Sequence, residues 1–207
     1  MGAGARRLSG AGVGQGLPGV RAEKEAAADG GGGGYAIELA AGRPVRGHDD
    51  IDVLILRRDQ AGVLRALSRW ELWAADPPGH LRPWVPGEIL PAAVHDVWCR
   101  PRGRGTWHLQ LMLDESEGDQ WVSRHSPCIR LPIADLGCRS PDGIPYLAPE
   151  VQLLYKARAP RSKDEVDLEA ALPLLSPRQR AWLAAALRTA YGGRSPWSPR
   201  LERAASG

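Results

Sequence analysis

The feature that most constrains the fold of this 207-residue chain is a compact six-residue run, Ile51 to Leu56, in which every residue except Asp52 is aliphatic. The run is short and rich in β-branched and aliphatic residues, so it predicts a strand that is buried on both faces. Asp59 follows at an N-cap position, and apolar residues then recur at helical spacing, which predicts a helix over residues 60–69. A buried strand followed by an amphipathic helix favours an α/β layer.

Further strands and helices are predicted along the rest of the chain, and together they indicate an α+β fold. The predicted strands cover residues 71–74, 94–100 and 107–114, and the predicted helices cover residues 149–157, 163–172 and 176–191. The chain is expected to divide into a disordered Gly/Ala-rich segment (1–32), a mixed-sheet core (33–133), a helical portion (134–192) and a flexible tail (193–207).

Composition narrows the functional classes. The net charge is only +3 and the basic residues are scattered, which argues against a dedicated nucleic-acid binder. No apolar run approaches the ~18 residues of a membrane span, and no secretory leader is apparent, so a cytoplasmic protein without a membrane partner is expected. The three cysteines show no metal-binding spacing and are expected to be reduced thiols.

Two aspartates stand at the start of the predicted strand, Asp50 and Asp52. Alternation along a strand sends both side chains to the same face. Two adjacent carboxylates repel each other unless a cation lies between them, and hard oxygen ligands favour Mg²⁺. The pair is therefore a candidate magnesium site.

A glycine pair, Gly33 and Gly34, precedes this site and a short helical turn. Backbone N–H groups without side chains can approach an anion closely, and such loops bind phosphates. A glycine pair inside a glycine run is also typical of a linker. A phosphate loop combined with a metal pair indicates nucleotide chemistry.

The stretch GGYAIELAAGRPVRGHDDIDV, residues 33–53, carries a resemblance to a known group of enzymes. It resembles the nucleotidyltransferase superfamily, whose signature is a Gly-Gly turn and a strand-borne Asp-x-Asp. The similarity is closest to the aminoglycoside 2''-O-nucleotidyltransferase family, and a looser similarity extends to about Leu187. The resemblance implies a nucleotidyltransferase core in which Gly33 and Gly34 bind the terminal phosphates.

The resemblance also implies a reaction. AMP would pass from ATP to a hydroxyl of a small, aminosugar-like acceptor with release of pyrophosphate, and Asp50 and Asp52 would hold two Mg²⁺ ions. The superfamily uses a third carboxylate as a metal ligand or base. Asp114 is the candidate here, at the end of the strand predicted over residues 107–114, and Gln110 is the competing residue on that strand face.

Other polar residues have both a functional and an ordinary interpretation. His48 either contacts the nucleotide or is a turn histidine without a catalytic part. Lys156 either compensates triphosphate charge or is a solvated helix residue, and the functional interpretation is weaker for Lys163. Asp164 and Asp167 are expected to pair with arginine, and a functional part in the site is the less favoured alternative.

Two further functions are compatible with the same motifs. One is nucleotidylation of a protein or tRNA, as in toxin-type members of the superfamily. The other is a non-catalytic nucleotide-binding domain, because residues 26–29 lack the apolar segment that precedes the glycine pair in the family. The sequence does not indicate the oligomeric state.

Overall fold

The computed structural model describes residues 21–22, 35–48, 50–103 and 105–205. Its strands are β1 (Arg21–Ala22), β2 (Ile51–Leu56), β3 (Trp70–Ala75), β4 (Leu81–Pro83), β5 (Asp96–Pro101), β6 (Leu109–Glu117), β7 (Gln120–Val122), β8 (Arg130–Pro132), β9 (Gly137–Arg139) and β10 (Pro145–Leu147). Its helices are α1 (Tyr35–Ala41), α2 (Gln60–Ala66), α3 (Pro149–Lys156), α4 (Ser162–Ala171), α5 (Pro177–Tyr191) and α6 (Ser198–Ala205). This mixture of helix and strand confirms the predicted α+β class.

Strand β2 has the bounds predicted from its apolar run and lies inside the sheet. Val53 and Ile55 belong to one apolar cluster, and Leu54 and Leu56 belong to the other. All four side chains are buried, because successive residues of a strand point to opposite faces and both faces are covered. The prediction of a strand buried on both sides is confirmed.

The sheet is mixed, with the strand order β4-β3-β5-β6-β2-β1-β10-β9. Strands β2 and β6 run parallel, whereas β5 is antiparallel both to β6 and to β3. Strand β6 is longer than predicted, and its last residues pair with β7, which in turn pairs with β8. The parallel neighbour of the aspartate-bearing strand is therefore the strand that carries Asp114.

One face of the sheet packs against more helices than the other face does. Apolar residues of α1, α3, α4 and α5 form one core with Leu54 and Leu56, together with Trp197 and Leu201 near the C-terminus. On the opposite face, α2 contributes Val63 to a second core built with β2, β3, β5 and β6. No helix in the described part of the chain is long and apolar enough to cross a membrane.

The region predicted to be helical, residues 134–192, contains a short hairpin before its helices begin. Strands β9 and β10 pair antiparallel around a turn in which Gly143 has a φ of 77°. Each strand has only three residues, too few for a periodic pattern to identify. The helices start at Pro149, and α5 has the predicted capping box, in which Ser176 Oγ accepts the Gln179 N–H at 3.3 Å.

Within the tail predicted to be flexible, residues 193–207, the structure describes residues 193–205, and Ser198–Ala205 of these form helix α6. Trp197, just before the helix, has 0% exposure, and its indole N–H donates to Glu165 Oε1 at 2.7 Å. Burial of this large ring explains why the tail packs on α4 and α5. Of the segment predicted to be disordered, only residues 21–22 are described, and they form β1 between β2 and β10. The rest of that segment lies outside the described residues.

Candidate functional site

The two aspartates of the candidate magnesium site lie together at the start of β2. Asp50 is 6% exposed and Asp52 is 1% exposed, whereas Ile51 between them is 41% exposed. This alternation is the one expected when two carboxylates share a face. In the parallel ladder Asp52 stands beside Gln110 of β6. The glycines of the predicted phosphate loop, Gly33 and Gly34, lie outside the described residues.

The loop that leads into β2 is organised by Glu38 of α1. Its Oε1 accepts the backbone N–H groups of Val45 and Arg46 at 2.8 and 3.0 Å. The same oxygen is 2.9 Å from His48 Nε2. Burial alone would raise the pKa of Glu38, but these N–H groups and the histidine hold that pKa below its ordinary value. Glu38 is thus an ionised anchor for the loop.

His48, predicted as a nucleotide contact or as a turn histidine, is held on both sides. Its ring stacks on Tyr35 with 4.5 Å between the ring centroids, in addition to its pairing with Glu38. These contacts hold the imidazole ring of His48, a residue that lies two positions before Asp50. Sequence reasoning did not single out Glu38, although it lies within the stretch that carries the family resemblance.

Asp114, the predicted third carboxylate, is not brought together with the aspartate pair. It stands beside Leu56, at the far end of β2 from Asp52. Four residues along a strand correspond to about 13 Å. The predicted competitor, Gln110, occupies the position beside Asp52 instead, and an amide does not act as a base.

Asp114 has a different environment from that of a metal ligand. Its side chain is 0% exposed and accepts hydrogen bonds from Trp121 Nε1 at 2.7 Å and Arg124 Nε at 2.9 Å. The Tyr155 hydroxyl donates to the same carboxylate. A buried carboxylate with three donors is a structural centre between β6, β7 and α3.

Asp96 of β5, which pairs with Met112 of β6 and contacts the side chain of Gln110, is a carboxylate that sequence reasoning missed. Its Oδ1 accepts from Gln110 Nε2 at 3.1 Å and lies 3.5 Å from Arg124 Nη1. A chain of contacts therefore runs from Gln110, the neighbour of Asp52, through Asp96 and Arg124 to Asp114. The Asp96 side chain is 35% exposed, so it is open to solvent where Asp114 is not. The signal for it in the sequence was an acidic residue inside the strand predicted over residues 94–100.

Aromatic residues continue the row of side chains across the sheet. Trp98 stands beside Gln110, and Trp73 stands beside Trp98. Residues paired across neighbouring strands point to the same face, so both indoles share the face of Asp52. Both are half-buried. The row therefore joins a carboxylate, an amide and two flat apolar rings.

Lys156 lies inside an ion-pair cluster rather than in solvent. Its side chain is 0% exposed, and its Nζ is 3.3 Å from Asp164 Oδ1 and 3.3 Å from Asp167 Oδ2. Asp164 also pairs with Arg161, and Asp167 also pairs with Arg46. The prediction that these two aspartates pair with arginine is confirmed.

The donor set fits a magnesium ion that is shared with a substrate. Mg²⁺ is usually held by one or two carboxylates together with water and phosphate oxygens. Asp50 and Asp52 supply such carboxylates. Among the described residues no group of three His, Cys, Asp or Glu side chains is placed to hold a metal by itself. The described side chains of the pair would therefore supply two of the oxygen ligands of such an ion.

A cavity of about 800 Å³ lies elsewhere, between α2, β3 and residues 83–89. Trp70, Trp84, Val85 and Ile89 contribute to its lining, and neither Asp50 nor Asp52 does. This cavity is separate from the carboxylate pair.

Comparison of the sequence with models of known protein families finds no match, and a search of curated proteins finds no relative.

Proposed function

We propose that this chain is a magnesium-dependent nucleotidyltransferase that moves AMP from ATP to a hydroxyl of a small, aminosugar-like acceptor. The observation that supports this most is the burial of Asp50 and Asp52 side by side at the start of a central strand. Two carboxylates that share one buried face repel each other, and a divalent cation bound between them would offset that repulsion. The resemblance of residues 33–53 to nucleotidyltransferases supplies the reaction class.

In the proposed reaction the acceptor hydroxyl oxygen attacks the α-phosphorus of ATP. The bond from that phosphorus to the bridging oxygen breaks, and pyrophosphate leaves with the electron pair. Asp50 and Asp52 would hold magnesium, which would supply positive charge to offset the charge that develops on the α-phosphate. The two carboxylates orient the triphosphate against the start of β2.

Asp96 is the residue we propose as the acceptor of the hydroxyl proton. It is partly exposed, it contacts Gln110 beside Asp52, and Arg124 lies close to it. Asp114 is sequestered by three donors and is proposed to hold Arg124 in place instead. Trp98, next to Gln110 on the same face, offers an apolar surface for a ring-bearing acceptor.

Pyrophosphate release tests this proposal. The full chain is incubated with Mg-ATP and a panel of aminoglycosides, and pyrophosphate is assayed. We expect release with at least one acceptor. We expect Asp50→Asn and Asp52→Asn each to reduce the release rate by about 10²- to 10³-fold. Asp142→Asn, an exposed change in the β9–β10 turn, is the matched control and should leave release unchanged. Pyrophosphate release that persists in both Asp50→Asn and Asp52→Asn would refute the assignment.

The amide at position 110 favours a second candidate function, a nucleotide-binding domain without turnover. Gln110 occupies the strand position beside Asp52, where a third carboxylate would complete an acidic triad. This alternative predicts Mg-ATP binding by calorimetry without pyrophosphate release for small molecules, proteins or tRNA. AMP transferred to a protein or tRNA alone would instead indicate a macromolecular acceptor.

A further inference from the structure

The loop that leads into the aspartate pair is tied to the helical layer by a bidentate ion pair. Arg46 Nε donates to Asp167 Oδ1 at 2.9 Å, and Arg46 Nη2 donates to Asp167 Oδ2 at 2.8 Å. Arg46 lies four residues before Asp50, whereas Asp167 lies on α4 and has 0% side-chain exposure. Two parallel hydrogen bonds fix both the distance and the orientation of the guanidinium.

The helical end of this pair is itself held rigidly. Lys156 Nζ of α3 is 3.3 Å from the same Asp167 Oδ2. Lys156 also contacts Asp164, whose Oδ2 accepts both the Arg161 N–H and Arg161 Nε at 2.9 Å. Asp167 is therefore fixed by α3 as well as by its own helix. The Asp167 carboxylate is therefore a fixed partner for Arg46 of the loop.

A second anchor of the loop is the carboxylate of Glu38. Glu38 fixes the backbone at Val45 and Arg46, and the Arg46 side chain then reaches α4 from that fixed point. Removing the partner of a buried charge leaves that charge uncompensated, so the remaining group and its backbone rearrange. Loss of Asp167 would therefore be transmitted to residues 46–52.

From this geometry we infer that Asp167, acting through Arg46, is a positioning residue that sets the orientation of Asp50 and Asp52 toward a divalent cation. The inference rests on the proposed function for the identity of the cation. The loop-ordering role itself concerns only residues of this chain. Partners that orient metal ligands typically affect metal affinity by about 10- to 100-fold.

Asp167→Asn and Asp164→Asn form a matched pair that tests the inference. Both residues lie buried on α4 and both contact Lys156, but only Asp167 contacts the loop before β2. Binding of Mn²⁺ in the presence of ATP is measured by electron paramagnetic resonance, with the full chain. We expect Asp167→Asn to weaken Mn²⁺ binding by about 10- to 100-fold and Asp164→Asn to change it by less than about threefold. Both variants should lower the melting temperature.

Hydrogen exchange of the metal-free protein provides a second readout. The amides of Val45 and Arg46 donate to Glu38, so they should be protected in the wild type. Asp167→Asn should accelerate their exchange, and Asp164→Asn should not. If Asp167→Asn does not fold, Arg46→Lys is used in its place. Lysine keeps the positive charge but cannot make the bidentate contact with Asp167.

The outcomes separate the two proposals. Equal Mn²⁺ binding and equal exchange in Asp167→Asn and Asp164→Asn would overturn the positioning role while leaving the proposed function intact. A wild type that does not bind Mn²⁺ with ATP would overturn the proposed function, and with it the orientation of a cation site. Faster exchange at Val45 and Arg46 in Asp167→Asn alone would then still support the loop-ordering contact.

Discussion

At the scale of single residues, the carboxylates of this protein differ in what surrounds their oxygens. Asp114 is buried under three donors, which satisfy its oxygens within the protein. Asp96 is partly exposed and contacts one amide and one guanidinium. A buried carboxylate that is fully hydrogen-bonded stabilises the fold, whereas an accessible one is able to exchange protons with a substrate.

Asp114→Asn and Asp96→Asn should therefore have opposite profiles. We expect Asp114→Asn to lower the free energy of unfolding by about 2–4 kcal/mol, because Arg124 loses a buried anionic partner. Asp96→Asn should cost less than about 1 kcal/mol, since its ion pair is partly solvated, but it should reduce pyrophosphate release. Urea unfolding and the release assay measure the two effects. An Asp114→Asn variant that is fully stable yet inactive would support the prediction from sequence that Asp114 is the third carboxylate, acting as a metal ligand or base.

His125 should make stability depend on pH below neutrality. Burial lowers the pKa of His125 from its ordinary 6.5, and the charge of Arg124 lowers it further. The unfolded chain therefore binds a proton that the folded chain does not, and stability falls as the pH drops below about 6.5 toward the lower folded pKa. The slope cannot exceed about 1.4 kcal/mol per pH unit for one proton.

A comparison of the wild type with His125→Gln separates the contribution of His125 from that of His48, which pairs with Glu38 in both proteins. Urea unfolding between pH 5 and 7.5 should show a weaker fall toward low pH in His125→Gln. Identical pH dependence in the two proteins would show that the ring at position 125 is protonated as readily in the folded state as in the unfolded state.

At the scale of secondary-structure elements, the sequence predicted best what is long or explicitly capped. Strand β2 has a continuous apolar run from Val53 to Leu56, and α5 has a Ser–Gln capping box and a left-handed Gly192 after it. Strands β9 and β10 were missed because three residues are too few to show alternation. Helix α6 was missed because its docking depends on Trp197, a tertiary contact that local pattern does not reveal.

Trp197→Ala should test whether α6 is part of the fold. Removing a fully buried tryptophan should lower the free energy of unfolding by about 3–5 kcal/mol. Val166→Ala, at a position of α4 that is 43% exposed, is the control and should stay within about 0.5 kcal/mol. Denaturant unfolding measures both. A Trp197→Ala variant as stable as the control would mean that the C-terminal helix does not stabilise the protein.

At the scale of the whole molecule, the site depends on strand register, which sequence alone did not supply. Alternation was enough to predict that Asp50 and Asp52 share a face. Which residue of β6 stands beside Asp52 depends on how two distant strands are aligned, and the pattern of each strand leaves that open. The structure places Gln110 there and Asp114 four positions away. Similarly, the contact of Arg46 with Asp167 joins residues 121 positions apart.

The joint action of Asp50 and Asp52 on a metal-bound nucleotide is the central claim, and a double-mutant cycle tests it most directly. Calorimetry of Mg-ATP binding is performed on the wild type, Asp50→Asn, Asp52→Asn and the double variant. The account predicts wild-type binding and a coupling energy of about 0.5–3 kcal/mol, so that the double variant loses less than the sum of the single losses. Wild-type affinity in all three variants, or single losses that simply add, would contradict it.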